Sequence, residues 1–509
     1  MKTKHLARAA AIAVAATFAL TACSGPSGTS GSSGQEAPHT LRLALAAPPS
    51  NFQVGAWSGG DATLLLSTYD TIVHRSVDGK LVPAIAESWQ YSDNRTQLTL
   101  KIRSGMKFTS GNPVDAKAVV ASLEAARVGP STKQNVASVS KVEATDESTV
   151  VVSLSSPDAA LLPYLSGAVV GDPNSLTAED SKLWPVGSGP YILSKEKSTV
   201  GSHYVLDKNP GYWNAGAYPY ETVDVQIIQD PTAGQNAVLS GQLDYAGLPS
   251  KDAQSQFPQD RFTVGQGKPS TVSALWLVDR EGKIVPALKD VRVRRAINMS
   301  VNRDAIAANL NPGTNTATNQ LFSREGSAFS QDLEKKTPYD VTQAKKLMAE
   351  AGYSDGFDVT MPSVPGITTA YESAVQQSLA DIGVRVTWEP VPFQQFYQKV
   401  FGGSYGMFFM FNGFSGSDAQ DFNASNSGIF NPFNLTTPEL EKLKAAANAA
   451  PEAGQAEAFR AINEYLVDQA WAAPVSNIAS FYVVPKTVEF TAPVQFGQGV
   501  EPFKPAGNQ

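Results

Sequence analysis

From residue 342 to residue 411 two hydrophobic periods alternate, and that alternation restricts the fold more than any other feature of the chain. Ala344, Leu347, Met348 and Ala351 recur at helical spacing over 342–351, with Gly352 just past the end. Strand-like runs follow at 357–361, 384–389 and 406–411, separated by helix-like runs at 371–382 and 393–400. Strand and helix in strict succession predict an α/β architecture, with parallel strands joined by right-handed crossovers. Ligands on such sheets sit outside the carboxyl ends of the strands. The residues leaving the 406–411 strand are therefore the candidate binding segment, a loop rich in Asn, Ser, Gly and Phe that runs to Asn434. Its candidate ligand contacts are Phe411, Asn412, Gly413, Phe414, Asp418, Asp421 and Asn426.

The upstream chain reads as strands at 40–45, 96–103, 142–144 and 149–154, with helices at 62–71, 116–126 and 157–164. Asp115 is placed to cap the second of these helices. The stretch 186–213 opens on the turn Gly187-Ser188-Gly189-Pro190 and closes on Asn209-Pro210-Gly211-Tyr212-Trp213. Glycine and proline punctuate its turns, and its two strands, around Tyr191–Leu193 and at 203–207, form a hairpin with a longer loop. Further on, 223–228 and 271–278 read as strands and 233–239 as a helix. Asp290 caps a helix carrying Val293, Ala296, Ile297 and Val301 on one face. Its Arg292, Arg294 and Arg295 fit a solvated helix face paired with nearby acids better than a phosphate site. Helices at 438–449 and 455–470 and a strand at 480–484 complete the chain. Trp57, in a Gly- and Ser-rich loop, and Trp276, in a strand, are candidates for stacking on a ligand and equally for core packing.

A length of 509 residues suggests about three domains. The N-terminus has a basic start (Lys2, Lys4, His5, Arg8) and an apolar run over 9–19, which fits a signal peptide and is short for a membrane span. Leu20-Thr21-Ala22-Cys23 resembles the bacterial lipobox, which implies cleavage after residue 22 and a diacylglyceryl group on Cys23. Two acyl chains give stable anchoring where one is marginal. Cys23 is the single cysteine, so the mature chain has no internal disulfide and relies on its core. Residues 23–37 form a Gly/Ser tether of flexible composition. Without residues 1–22 the formal charge of -7 becomes -10, which argues against a nucleic-acid partner.

The run DGKLVPAIAESW…LTLKIRSGMKFTSGNPVDAKAVVASL, then GSGPY and KNPGYW, then DVRVRRAIN, resembles in order and spacing the family 5 extracellular solute-binding proteins. These are the dipeptide-, oligopeptide- and nickel-binding receptors of ABC importers. The resemblance spans about 40–490. It implies a periplasmic-binding-protein-like two-lobed clam (type II, cluster C) with an extra inserted domain. Lobe I is then 38–66 plus 186–285 plus 480–509, the inserted domain 67–185 and the other lobe 286–479, with hinge crossings near 276–286 and 474–480.

The resemblance further implies a lipid-anchored receptor on the extracytoplasmic face, at the cell surface or in the periplasm. It captures a peptide or peptide-like solute, as a monomer, for a permease and ATPase complex. Alternatives on the same fold are a receptor for an oligosaccharide, an opine or a metal chelate, or a sensing or adhesion protein. Peptide-binding relatives hold the peptide amino terminus with an aspartate in a loop whose aligned position here is Phe414, with Asp418 and Asp421 downstream. An unpaired ammonium against a phenyl ring is costly. That favours a ligand with a less prominent cation, or one differently placed. With the pocket at this loop, substitution of Asp418 or Phe414 is expected to weaken binding far more than substitution of Arg294. No cofactor is called for: the histidines after the leader are His39, His74 and His203, outside the candidate segment. No H-E-x-x-H, Walker A, G-x-S-x-G or G-x-G-x-x-G motif points to an enzyme.

Overall fold

The computed structural model describes residues 40–57, 60, 62–310, 312–494 and 499–507. The expected signal peptide 1–22, the tether 23–37, Cys23 and His39 lie outside the described residues.

Strand Thr40–Leu45 runs parallel to Thr222–Ile227, with Leu41 opposite Val223 and Leu43 opposite Val225. His203–Lys208 and Tyr191–Leu193 extend this sheet as antiparallel neighbours, so the hairpin expected in 186–213 is present. The core on this sheet draws on residues from Leu41 to Phe503, including Leu64, Tyr69, Tyr191, Val223 and Val484. A second sheet places Phe481–Pro485 between Ala246–Leu248 and Phe262–Gln266.

Residues 72–170 bury a core of their own. Helix Ala116–Val128 packs on an antiparallel sheet of Ala86–Tyr91, Gln97–Ile102, Thr149–Leu154 and Val139–Asp146. Asp115 caps that helix as expected, its side chain accepting from the Ala118 amide at 2.9 Å.

The third region is built on the order Asn315–Ala317, Ala472–Ile478, Thr271–Trp276, Phe408–Gly413. Phe357–Ser363 and Val384–Pro390 are parallel, as the alternation predicts. The next strand is not: Phe408–Gly413 pairs antiparallel with Thr271–Trp276. The periodicity registers each local crossover but not a partner strand supplied from more than a hundred residues upstream. That partner is buried on both faces. Ala274 and Trp276 join one core with Phe408 and Met410, while Leu275 joins another with Met407 and Phe409.

Two further expectations need correction. Residues 412–434 are not a continuous loop, because Asp418–Ser425 is a helix and Gly428–Phe430 a 3-10 turn. Ala419, Phe422 and Ser425 form its buried stripe, too short and too polar to stand out as a hydrophobic period. Arg294 is not on a solvated face either. It is 6% exposed, and its guanidinium donates to the Leu288, Lys289 and Gln469 carbonyls at 2.8–3.2 Å. Arg295 takes the Asp468 carbonyl, so the two arginines satisfy the free end of helix Glu452–Asp468. Only Arg292 pairs with a neighbouring acid, Asp290 at 2.6 Å.

The chain changes sheet between Gln266 and Thr271 and returns between Ile478 and Phe481. These two segments lie side by side, with the Gly267 amide on the Ser480 carbonyl at 2.8 Å and the Ser270 amide on the Ile478 carbonyl at 3.0 Å. The outward crossing thus precedes strand Thr271–Trp276 rather than following it at 276–286, since that strand already belongs to the third region's sheet.

Candidate functional site

Strand Phe408–Gly413 ends in the short loop 414–417, which leads into helix Asp418–Ser425. The Phe414 amide donates to the Ser270 carbonyl at 2.8 Å, fixing the loop to the outward sheet crossing. The Ser415 amide and hydroxyl both donate to Asp421 Oδ1, at 2.7 and 2.6 Å. Gly416 has φ +77, a backbone state that favours glycine. Its carbonyl accepts from Arg75 Nη1 at 3.0 Å.

A cavity of about 360 Å³ opens beside this loop. Val77, Asp78 and Gly79 wall it on one side, Lys268, Thr491, Ala492 and Val494 on another, and Ser323, Glu325, Gly326, Gly416, Ser417 and Asp421 on the third. Lys268 and Glu325 pair on its wall at 2.7 Å. A second cavity of about 250 Å³ shares Glu325, Gly326, Gly416 and Ser417 with the first and adds Arg75, Pro163, Ser327, Asp418, Gln455 and Phe459. The walls combine apolar surface with a few polar side chains, Lys268, Glu325 and Asp421 among them, and come from segments distant in sequence, as a small-solute site requires.

The two aspartates differ in what they have left to offer. Asp418 Oδ2 accepts from the Ser327 hydroxyl at 2.5 Å and the Ala328 amide at 2.9 Å. Its Oδ1 has no partner among the described residues and faces Gly326, where an added Cβ would sit 2.4 Å from it. Asp418 is thus engaged in holding the 326–328 turn, and burial raises its pKa. Asp421 is 3% exposed and lines the larger cavity. Among the described residues its hydrogen bonds come from Ser415 alone. Burial pushes its pKa up to about 7, helped by the neighbouring Asp418 and opposed by Ser415 and the charge of Arg75.

The remaining candidates are placed as follows. Trp276 is 1% exposed, donates to the Met410 carbonyl at 3.1 Å and lies against Phe430 with ring centroids 4.0 Å apart. Phe414 is also 1% exposed. Phe411 packs edge-on against Tyr371 and Phe409. Asn412 donates to Ser425 Oγ at 3.2 Å, and Asn426 donates to the Phe422 carbonyl at 3.0 Å. Gly413 is exposed at the strand end. Trp57 lies apart from this group, in a small cavity with Gly55, Leu123 and Tyr164 and against the core around Leu41. Of the candidates, Asp418 and Asp421 line the two larger cavities.

Sequence reasoning missed Arg75, Lys268 and Glu325. Arg75 carried a readable signal, since it is in phase with buried Val73 on strand Val73–Arg75 and so puts a cation on an apolar face. Lys268 and Glu325 sit in loops with no such pattern. Among the described residues, no group of three or more His, Cys, Asp or Glu side chains is arranged to hold a metal ion. No described helix is long and apolar enough to cross a membrane.

Residues 80–431 match the family described as bacterial extracellular solute-binding proteins, family 5 Middle. The glutathione-binding protein of Pectobacterium atrosepticum is 27% identical over 338 residues, which are 64% of this chain and 63% of that protein. Its Escherichia coli K12 counterpart is 26% identical over 333 residues, 63% of each chain. The chain thus aligns with under two thirds of the length of these relatives. Among solved structures, the binding protein AgaA in complex with agropinic acid, from A. tumefaciens, superposes with a TM-score of 0.77 at 24% identity, over 92% of this chain and 99% of that one. The periplasmic binding protein DppA from Helicobacter pylori, in complex with the peptide STSA, gives 0.77 at 20% identity, over 92% and 99%. These likenesses carry the fold, a two-lobed binding-protein architecture. With more than half of its length matched to the family, this chain belongs to the bacterial extracellular solute-binding proteins, family 5.

Proposed function

We propose that this chain is the substrate-binding receptor of an ABC importer and that it takes a peptide or peptide-like solute with a free amine into the cleft beside loop 414–417. One observation carries the amine: Asp421 is a buried carboxylate on the wall of the larger cavity, with no ion-pair partner among the described residues. A buried carboxylate in that state gains most from a ligand that brings a cation. The names of the relatives, with glutathione and a short peptide among their ligands, support the peptide class. Asp421 takes the amine in this reading, Asp418 holds the wall behind it, and Phe411, Asn412, Gly413, Phe414 and Asn426 shape the base of the loop. Trp276 supports that base from the core, and Trp57 lies outside the cleft.

The domain plan goes with this reading. Lobe I comprises 38–66, 186–266 and 481–507, the insert 67–185 and the second lobe 271–478, with 267–270 and 479–480 as the hinge. Ligand bridging both sides of the cleft shifts the population toward the closed form, which the permease recognises. The mature chain is a monomer, tethered through lipid on Cys23 to the extracytoplasmic face of the membrane, and it releases its ligand chemically unchanged. Thermal-shift screening against peptides, opines, sugars and metal chelates tests the proposal. Stabilisation by free-amine peptides supports it, while a flat response to all four classes from folded protein overturns it.

A further inference from the structure

Strand Val73–Arg75 pairs with Leu81–Pro83, so it is anchored within the 67–185 segment. Arg75 is 6% exposed, yet no carboxylate among the described residues forms an ion pair with it. Its guanidinium is held by carbonyl oxygens instead: Gly79 at 3.0 Å, Pro163 at 3.5 Å and Gly416 at 3.0 Å. Two of these belong to its own segment. The third is 341 residues away, on the loop that carries the candidate site. The charge of Arg75 also acts on Asp421. Removing this charge therefore frees a carbonyl of the loop and takes away a cation that offsets the effect of Asp418 on Asp421.

We propose that Arg75 is the latch by which the inserted segment grips loop 414–417, so that the insert itself positions the ligand-binding carboxylate and holds the cleft shut. A planar guanidinium reaches three carbonyls at fixed angles, which an ammonium does not. A hydrogen bond to a charged donor is worth more than a neutral one, so its loss is read as a large change in local opening. The ligand role of the cleft rests on the function proposed above, but the latch itself is measurable without any ligand.

The experiment is hydrogen exchange and small-angle scattering on ligand-free wild type, Arg75→Met and Arg75→Lys, with Lys101→Met as a control on the exposed face of the insert. Arg75→Met is expected to raise amide exchange over 414–421 by about tenfold or more and to enlarge the radius of gyration. Strands Gln97–Ile102 and Thr149–Leu154 keep wild-type protection, and Arg75→Lys falls between. Unchanged exchange over 414–421 in Arg75→Met overturns the latch. If Arg75→Met also loses protection in those two strands, Arg75→Lys decides: faster exchange confined to 414–421 supports the latch, and no change overturns it. A parallel titration with glutathione separates the two proposals. Wild type that fails to bind counts against the ligand class alone, whereas a latch without effect on 414–421 counts against this inference alone.

Discussion

A Cβ on Gly187 would lie 2.2 Å from the carbonyl oxygen of Thr68. The same carbonyl accepts from the Gly189 amide at 3.0 Å, and the Asn209 side chain donates to the Gly189 carbonyl at 2.8 Å. Trp213 then reaches Asp70 at 2.6 Å and carries the Arg103 guanidinium 4.1 Å above its ring. The GSGPY and KNPGYW motifs are therefore one device, which seats the returning chain on the end of helix Ala62–Thr68.

Gly187→Ala is expected to destabilise the fold by about 2–3 kcal/mol, because the clash is with backbone and has no soft side chain to yield. Gly234 is the contrast. It lies in helix Pro231–Leu239 with open space where a Cβ would go, so Gly234→Ala is expected to stabilise by about 0.5–1 kcal/mol. Urea unfolding of both variants checks the pair.

Arg294→Met is expected to cost about 2–4 kcal/mol of stability, since it strips the donors from one buried and two part-buried carbonyls. Its effect on ligand affinity is expected to be small, because neither Arg294 nor the carbonyls it holds line the two cavities beside loop 414–417. Comparing unfolding and binding for the same variant separates the two effects.

Stability and affinity are expected to move in opposite directions with pH at Asp421. Its folded pKa of about 7 lies above the roughly 3.9 of an unfolded chain. The protonated form is favoured by folding, so this contribution to stability is complete below about pH 4 and is lost as pH rises through 7. An ammonium ligand needs the ionised form, so affinity rises over the same range. Asp421→Asn should flatten both profiles, as read by thermal unfolding and titration from acid to mildly alkaline pH.

Lys268→Ala is expected to weaken binding only about two- to fivefold, and less in high salt. Its pair with Glu325 lies on the cavity wall but is about half exposed, and such pairs are worth at most about 1 kcal/mol. Titrations at low and high ionic strength check this.

Much of the fold is legible in local pattern. Thr40–Leu45 alternates cleanly and is the strand it looks like, and Pro438–Ala449 begins at the proline that suits a first helical turn. Asp115 and Asp290 cap the helices they precede. What stayed hidden depends on distant partners. Nothing near Phe408 says that Thr271–Trp276 will pair with it, and nothing near Arg294 says that the end of another helix will surround its head group. The site shows the same division. Asp418 and Asp421 were in view because they follow a strand, but their different roles come from Ser415, Gly326 and Ser327, which no spacing rule connects.

Asp421 is the proposed anchor for a ligand amine. The most direct measurement is calorimetric titration of wild type and Asp421→Asn, at about pH 8, where the carboxyl is ionised, with glutathione and a free tetrapeptide beside their N-acetylated forms. Saturable binding of a free-amine ligand is expected, with at least about tenfold weaker binding of its acetylated form and a similar loss in Asp421→Asn. Equal affinity for free and acetylated ligands, or an Asp421→Asn variant that binds like wild type, would contradict that role for Asp421.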